Sequence, residues 1–233
     1  MADDVQLLPL EAMSKVLEAI EIYRFYHVGA EEIFALRGVT LEVSAGEFCV
    51  LEGPSGSGKS TLLSCLAGID DPDGGSVRVM GQLMSRRTEL AKASLRARHI
   101  GVLLQVGNLF DHLNVANNIA LGMKISGRGD PGSIDGLLES LSLNGLADAR
   151  PSSLSGGEAA RAGLAAVLAR NPDVLICDEP TGEVDAAAES RILDKLLATA
   201  RNGAGVLVAT HSAALAERAD RVLSLRDGRL ING

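Results

Sequence analysis

Apolar positions follow three patterns along this chain, and each predicts a different kind of element. Val39, Leu41 and Val43 alternate with Thr40 and Glu42, and Ile20, Ile22 and Phe25 alternate more loosely with Glu21 and Arg24. Period-two alternation is the mark of strands with one face in water, so an antiparallel sheet is expected first. Ser76-Val77-Arg78-Val79-Met80 repeats that pattern after the turn cluster Asp70-Asp71-Pro72-Asp73-Gly74-Gly75. By contrast, Phe48-Cys49-Val50-Leu51, Val174-Leu175-Ile176-Cys177 and Gly205-Val206-Leu207-Val208-Ala209 are continuously apolar. Parallel strands buried on both faces read this way. His99 to Gln105 reads as a further core strand ending in an amide, an unusual place for one unless something requires it. Helical spacing dominates residues 110–170, for example Ile134, Leu137, Leu138 and Leu141, with Gly/Pro-rich breaks at 127–132 and 151–157. A further helix is expected from about Ala187 to Ala200, a solvated basic helix over Arg86 to Arg98, and a short helix around Leu10 to Val16.

The 233 residues are 46% hydrophobic, enough to bury a full α/β core in one domain. A net charge of −8 and only 3% aromatic residues, with no Trp, provide neither a basic surface to follow phosphates nor platforms for bases, so nucleic acid is not expected as a partner. Cys49, Cys65 and Cys177 lie in apolar runs and read as small buried hydrophobes in a reducing compartment. No apolar run approaches the ~20 residues of a membrane-spanning helix, and the acidic start Met1-Ala2-Asp3-Asp4 lacks the basic region of a signal peptide. A protein that stays in the cytoplasm is expected.

Between a buried strand and an apolar helix start lies Gly53-Pro54-Ser55-Gly56-Ser57-Gly58-Lys59-Ser60-Thr61, which satisfies G-x-x-x-x-G-K-[ST] in its proper context. Glycines there let successive backbone N–H groups turn inward, and the following helix presents its positive end, so the stretch predicts a phosphate cradle. Lys59 would reach the β- and γ-phosphates, Ser60 would offer its hydroxyl to Mg²⁺, and Ser55, Ser57 and Thr61 would add donors. The run ending at Cys177 is followed by Asp178-Glu179, two carboxylates at the carboxyl end of a core strand, where open α/β sheets bind ligands. Asp178 would complete the Mg²⁺ shell opposite Ser60, and Glu179 would orient or deprotonate a water attacking the γ-phosphate.

Leu154-Ser155-Gly156-Gly157-Glu158 adds a glycine-rich helix start upstream. Together with the phosphate loop, Gln105, Asp178-Glu179-Pro180-Thr181-Gly182-Glu183-Val184-Asp185 and Thr210-His211-Ser212, it makes the chain resemble the ATP-binding-cassette (ABC) ATPases from about residue 16 onward. The phosphate loop and Glu-Pro-Thr-Gly-x-x-Asp look like the branch that serves lipoprotein release, macrolide efflux, peptide export and cell-division permeases.

The resemblance implies a P-loop NTPase of the ABC type: α/β, with a RecA-like core, an antiparallel β subdomain and a helical subdomain. Residues 1–15 would be a lead-in, 16–233 the ATPase domain and about 106–165 its helical subdomain. It implies that Ser155, Gly156, Gly157 and Glu158 close on ATP held by a partner's phosphate loop, so that two chains, a homodimer or a heterodimer with a second ABC ATPase, bury two Mg-ATP head to tail. Gln105 would contact Mg²⁺ or the attacking water and report nucleotide state to the helical part. His211 would hold the γ-phosphate and position Glu179, Asp185 would couple the two sites, and Tyr26 would stack on adenine.

The implied function is the ATP-hydrolysing subunit of a transporter, peripheral on the cytoplasmic face of the membrane through a separate integral permease. Two alternatives share the motifs: an ATP-gated signalling subunit that moves no solute, and a soluble assembly ATPase. Three departures from the family pattern are noted. Glu158 replaces the usual Gln, Ala159, Ala160 and Ala166 leave Arg161 as the cation of a plain helix, and Glu52 stands where an apolar residue is usual. A buried Glu52 would need a hydrogen bond or an ion pair. The remaining histidines, His27, His99 and His112, are given structural roles.

Overall fold

A computed structural model describes residues 14–29, 31–128, 134–182 and 184–232. Its first elements are two long antiparallel strands, β1 (Lys15–Val28) and β2 (Glu31–Ser44). Ser44-Ala45-Gly46 then turns the chain into β3 (Phe48–Glu52), which runs to the phosphate loop and α1 (Lys59–Leu66). β4 (Gly74–Val79) returns to pair with β1, followed by the short β5 (Gln82–Leu83), so the first sheet has the order β2-β1-β4-β5. Beyond it come α2 (Glu89–His99), β6 (Ile100–Leu103), α3 (Val115–Ser126), α4 (Ile134–Ser140) and α5 (Gly156–Leu168). The chain closes with β7 (Val174–Asp178), α6 (Ala186–Arg201), β8 (Gly205–Ala209), α7 (Ala213–Ala216), β9 (Arg221–Arg226) and β10 (Arg229–Asn232).

The second sheet has the order β10-β9-β3-β8-β7-β6, parallel except for the terminal hairpin. Its strands are apolar throughout because both faces are covered. Cys49 and Leu51 face a core shared with α1 and the antiparallel sheet, whereas Phe48 and Val50 face a core built from α3, α5 and α6. α1 is therefore clamped between two sheets, and the loop at its start inherits that rigidity. The three cysteines are buried. Desolvation pushes the Cys49 and Cys65 thiols up to about 12, which keeps them protonated and inert.

Four expectations are corrected. Ile20 does not share a face with Ile22: Ile22 is buried, and Ile20 is 47% exposed. The cause is a bulge, since Ala19 pairs with Leu41 but Ile22 with Val39, so one extra residue in β1 reverses the alternation. Glu21 sits there at φ 49, its N–H donating to Thr40 Oγ1. Lys15 and Val16 already belong to β1, which rules out a helix there, and the rest of the stretch expected around Leu10 lies outside the described residues.

The basic helix begins at Glu89, capped by Thr88, and is not wholly solvated. Lys92 is buried, its ammonium 2.8 Å from Asp71 and 2.6 Å from Glu89. Finally, β9 and β10 were not expected, although Asp227-Gly228 between alternating apolar residues is a hairpin signal.

The bulge can be tested by urea denaturation. Ile22→Ala is expected to destabilise by about 2–5 kcal/mol as a buried large-to-small change. Ile20→Ala should stay within about 0.5 kcal/mol of wild type, as exposed changes do. Equal losses would contradict the reversed alternation.

Candidate active site

Four neighbouring parallel strands deliver their carboxyl ends to one edge of the second sheet. In spatial order, β3 brings the phosphate loop, β8 brings Thr210 and His211, β7 brings Asp178 and Glu179, and β6 brings Gln105. Residues separated by more than 150 positions thus become neighbours through strand pairing, with Asp178 opposite Ala209 and Leu51 opposite Ala209.

The phosphate loop is fixed by close backbone packing. Gly53 (φ 155) and Gly58 (φ 105) adopt conformations that L side chains rarely reach. A Cβ at Gly53 would lie 2.1 Å from the Leu225 carbonyl oxygen, and one at Gly58 would lie 2.5 Å from that of Ala35. Gly228 N–H also donates to the Ser57 carbonyl at 3.1 Å. The loop is thereby wedged between β2 and the β9–β10 hairpin, two supports that motif reading missed. Pro54, Ser55 and Gly56 form its exposed crest, and Gly56 has open space around it.

This loop fits a polyanion on three counts. Gly58 caps α1 without any side-chain capping bond, leaving the helix's first N–H groups facing the loop. Ser57 Oγ is buried with no hydrogen-bond partner among the described residues. Lys59, largely buried, holds its ammonium within the loop, donating to the carbonyls of Gly53 at 2.6 Å and Pro54 at 3.3 Å. Thr61 continues α1 half-buried. Ser60 and Asp178 line one small cavity of about 20 Å³. Their side-chain oxygens are hard donors of the kind Mg²⁺ takes, whereas Gln105 lines a separate cleft.

His211 and Glu179 meet directly. The His211 backbone N–H donates to Glu179 Oε2 at 3.3 Å, and His211 Nε2 is 3.6 Å from Oε1. Glu179 sits at φ 46, a conformation sustained by its own N–H donating to the Ala209 carbonyl at 2.9 Å and by Gly182 N–H donating to its carbonyl at 3.2 Å. Backbone held in a sparsely populated region beside other site groups orients a side chain in advance.

Gln105, exposed in the loop after β6, lines a cleft of about 260 Å³ together with Glu179 and Gly156. Asn108, which sequence reading passed over, shapes that loop: it accepts from Leu104 N–H at 2.8 Å and donates to the Leu104 carbonyl at 2.6 Å.

Ser155 caps α5 together with Glu158. The two residues form a capping box in which Glu158 Oε2 accepts from Ser155 N–H at 2.8 Å and from its hydroxyl at 2.7 Å. These bonds, the backbone one first, hold the Glu158 carboxyl below its ordinary range. Gly157 lies in the first turn, where a Cβ would meet Arg161 at 3.4 Å. The cleft that contains Gly156 includes no residue of the loop 53–58. Asp185 caps α6, its Oδ1 accepting from Ala188 N–H at 2.7 Å.

Tyr26 stands near the end of β1, 37% exposed. Its hydroxyl donates to Asp70 at 3.0 Å, and the Arg24 guanidinium lies 4.6 Å from its ring centroid. Arg24 in turn is clamped by Asp70 and Asp73. Glu52 corrects an expectation. It is only partly buried at the strand end and makes no side-chain hydrogen bond or ion pair among the described residues. His99 has the structural partner expected of it, Asp173 at 2.6 Å.

Comparison with known proteins agrees with this geometry. The family profile "ABC transporter" matches residues 36–182. The chain is 41% identical over 224 residues to the lipoprotein-releasing system ATP-binding protein LolD of Hyphomonas neptunium, covering 94% of this chain and 98% of that one. It is 38% identical over 221 residues to the macrolide export ATP-binding/permease protein MacB of Chlorobium luteolum, covering 93% of this chain and 33% of that longer one. Among solved structures, a dimeric ATP-binding cassette in a post-hydrolysis state bound to ADP and Pi superposes with a TM-score of 0.87 at 29% identity, covering 93% of this chain and 97% of that one.

Because the Ser57 hydroxyl has no partner within the chain, Ser57→Ala is expected to leave the melting temperature of the nucleotide-free protein unchanged or raised. The rise in melting temperature on adding Mg-ATP should shrink. A clear loss of stability without nucleotide would show that the hydroxyl serves the fold.

Proposed function

The chain belongs to the ABC transporter family, and from that premise we propose that it is the ATP-hydrolysing subunit of an exporter-type transporter. Two copies, or this chain and a second ABC ATPase, would close head to tail around two Mg-ATP and drive a separate membrane permease. The observation that carries this reading is the row of phosphate loop, His211, Asp178-Glu179 and Gln105 along one sheet edge. We take residues 16–233 as one ATPase domain whose helical part spans about 106–165.

In this reading the N–H groups of residues 53–58 and of the first turn of α1 cradle the phosphates, with Lys59 turning from the loop carbonyls to the β- and γ-oxygens. Ser60 and Asp178, with Gln105, would hold Mg²⁺, which would neutralise charge on the phosphates. Glu179, already oriented by its backbone conformation, aligns the attacking water and takes its proton. His211 keeps Glu179 in place and donates toward the γ-phosphate. Ser155, Gly156 and Gly157, at the start of α5, would serve a partner's nucleotide, a role supported by the absence of any residue of the loop 53–58 from the cleft that Gly156 lines. Tyr26, braced from Arg24 and Asp70, would form the adenine platform.

Among the described residues no helix is long and apolar enough to cross a membrane. A groove of about 390 Å³ between α2, α3, α5 and the loop after β6 exposes Leu104, Phe110 and Ile125, and would receive the permease at the cytoplasmic face of the membrane. The names of the relatives, lipoprotein release and macrolide export, favour extrusion as the direction.

Glu179→Gln tests the central assignment. Steady-state ATP hydrolysis is expected to fall about 10²–10⁴-fold, the range of a general base. Mg-ATP binding should survive, with a dimer appearing on size-exclusion chromatography in the presence of ATP. Near-normal hydrolysis by this variant would remove Glu179 from the chemistry.

A further inference from the structure

His211 meets Glu179 with little packed around its ring. Its side chain is 58% exposed, and Nε2 lies 3.6 Å from Glu179 Oε1. An imidazole so open to solvent takes its place from the backbone on either side of it. Before it, Thr210 is buried, its N–H donating at 3.2 Å to the carbonyl of Leu51 in the strand that leads to the phosphate loop. After it, Ser212 donates its N–H to Thr210 Oγ1 at 3.1 Å. Ser212 also makes a contact that none of the sequence motifs requires: its hydroxyl donates to Glu189 Oε1 at 2.6 Å.

Glu189 stands in the first turn of α6, whose start is fixed by the Asp185 cap. A hydroxyl–carboxylate bond of this length is charge-assisted and stronger than one between neutral groups. The hydroxyl has a single proton, so committing it to Glu189 leaves its lone pairs for Leu215 N–H, which donates to it at 3.3 Å and starts α7. Among the described residues the Glu189 carboxylate has no other hydrogen-bond partner and no cation within ion-pair distance. An acid in a first turn also suits the helix dipole, but the dipole calls for no partner on another element. The segment 179–189 thus grips the loop after β8 at both of its ends, Glu179 on His211 and Glu189 on Ser212.

We propose that Glu189 is a positioning residue for ATP hydrolysis: through the Ser212 hydroxyl it holds the backbone of His211 where the imidazole serves the γ-phosphate and Glu179. This rests on the reading of Glu179 as the base and of His211 as its γ-phosphate partner. Misplacing a group at the reacting centre by about 1 Å costs on the order of 10²-fold, so one hydrogen bond beside His211 governs turnover without touching the nucleotide.

Steady-state ATP hydrolysis by the full chain tests this, with the melting temperature as the check on folding. Glu189→Ala should lower kcat and kcat/KM together, by about 10- to 10²-fold, with KM for Mg-ATP unchanged. Glu189→Gln keeps an accepting oxygen and should recover most of that loss, whereas a role in the helix dipole alone predicts that both variants lose stability alike and neither loses kcat. Ser212→Asp keeps a good cap for α7 but sets a second carboxylate against Glu189. It should match Glu189→Ala in kcat, and it decides the matter if Glu189→Ala fails to fold. His211→Ala is the reference and should lose at least as much. A wild-type kcat in Glu189→Ala or in Ser212→Asp, or equal losses in Glu189→Ala and Glu189→Gln, overturns the positioning role and, with His211→Ala inactive, leaves the reading of the site standing. Near-normal hydrolysis by His211→Ala overturns both.

Discussion

Close contact between glycine backbone and neighbouring carbonyls at residues 53–58 is the constraint on which the rest of this structure depends. Leu225 oxygen lies where a Cβ on Gly53 would go, and Ala35 oxygen where one on Gly58 would go. The loop is therefore held from two sides, by the antiparallel sheet that precedes it and by a hairpin that closes the chain some 170 residues later. With its position set, the first turn of α1 has its N–H groups uncapped and Ser57 has its hydroxyl unpaired. Those are local costs in the free protein. They are recovered when a polyanion accepts the donors, and a fold this thoroughly clamped can sustain them.

Parallel pairing does the remaining assembly. Strands β3, β8, β7 and β6 all end at the same edge, so each post-strand loop contributes one group to a common row. The left-handed conformation of Glu179 and its contacts with Ala209 and His211 turn that row into a defined geometry. The start of α5 contributes Gly156 to a cleft that Gln105 and Glu179 also line.

Polar detail around the row is mostly supportive. Asn108 closes the Gln105 loop, Asp185 and Ser155 cap the helices that flank the site, and Arg24 and Asp70 brace Tyr26. Glu158 belongs to this class, its side chain closing a capping box with Ser155. Among the described residues Arg170 is an exception, since its guanidinium donates to backbone oxygens alone.

The buried strands, the phosphate loop and the residues at the strand ends were legible in the sequence, because continuous apolar runs and a glycine-lysine signature are local consequences of local chemistry. β7, β8 and α6 fall within a residue of their expected bounds for that reason. Where reading failed, the deciding interaction was distant. The Ile20 face depended on a bulge set by pairing with β2, and the burial of Lys92 depended on Asp71 across a turn. Glu52 lies only partly buried, without a side-chain partner among the described residues, because tertiary packing decides how far a strand end reaches the surface. The sequence by itself determined which segments are buried, where phosphate chemistry resides and which family the motifs resemble. The tertiary structure alone decided which distant carbonyls shape the loop, how Glu179 is turned and which cations stay unneutralised, because these depend on close packing between segments that no local pattern encodes.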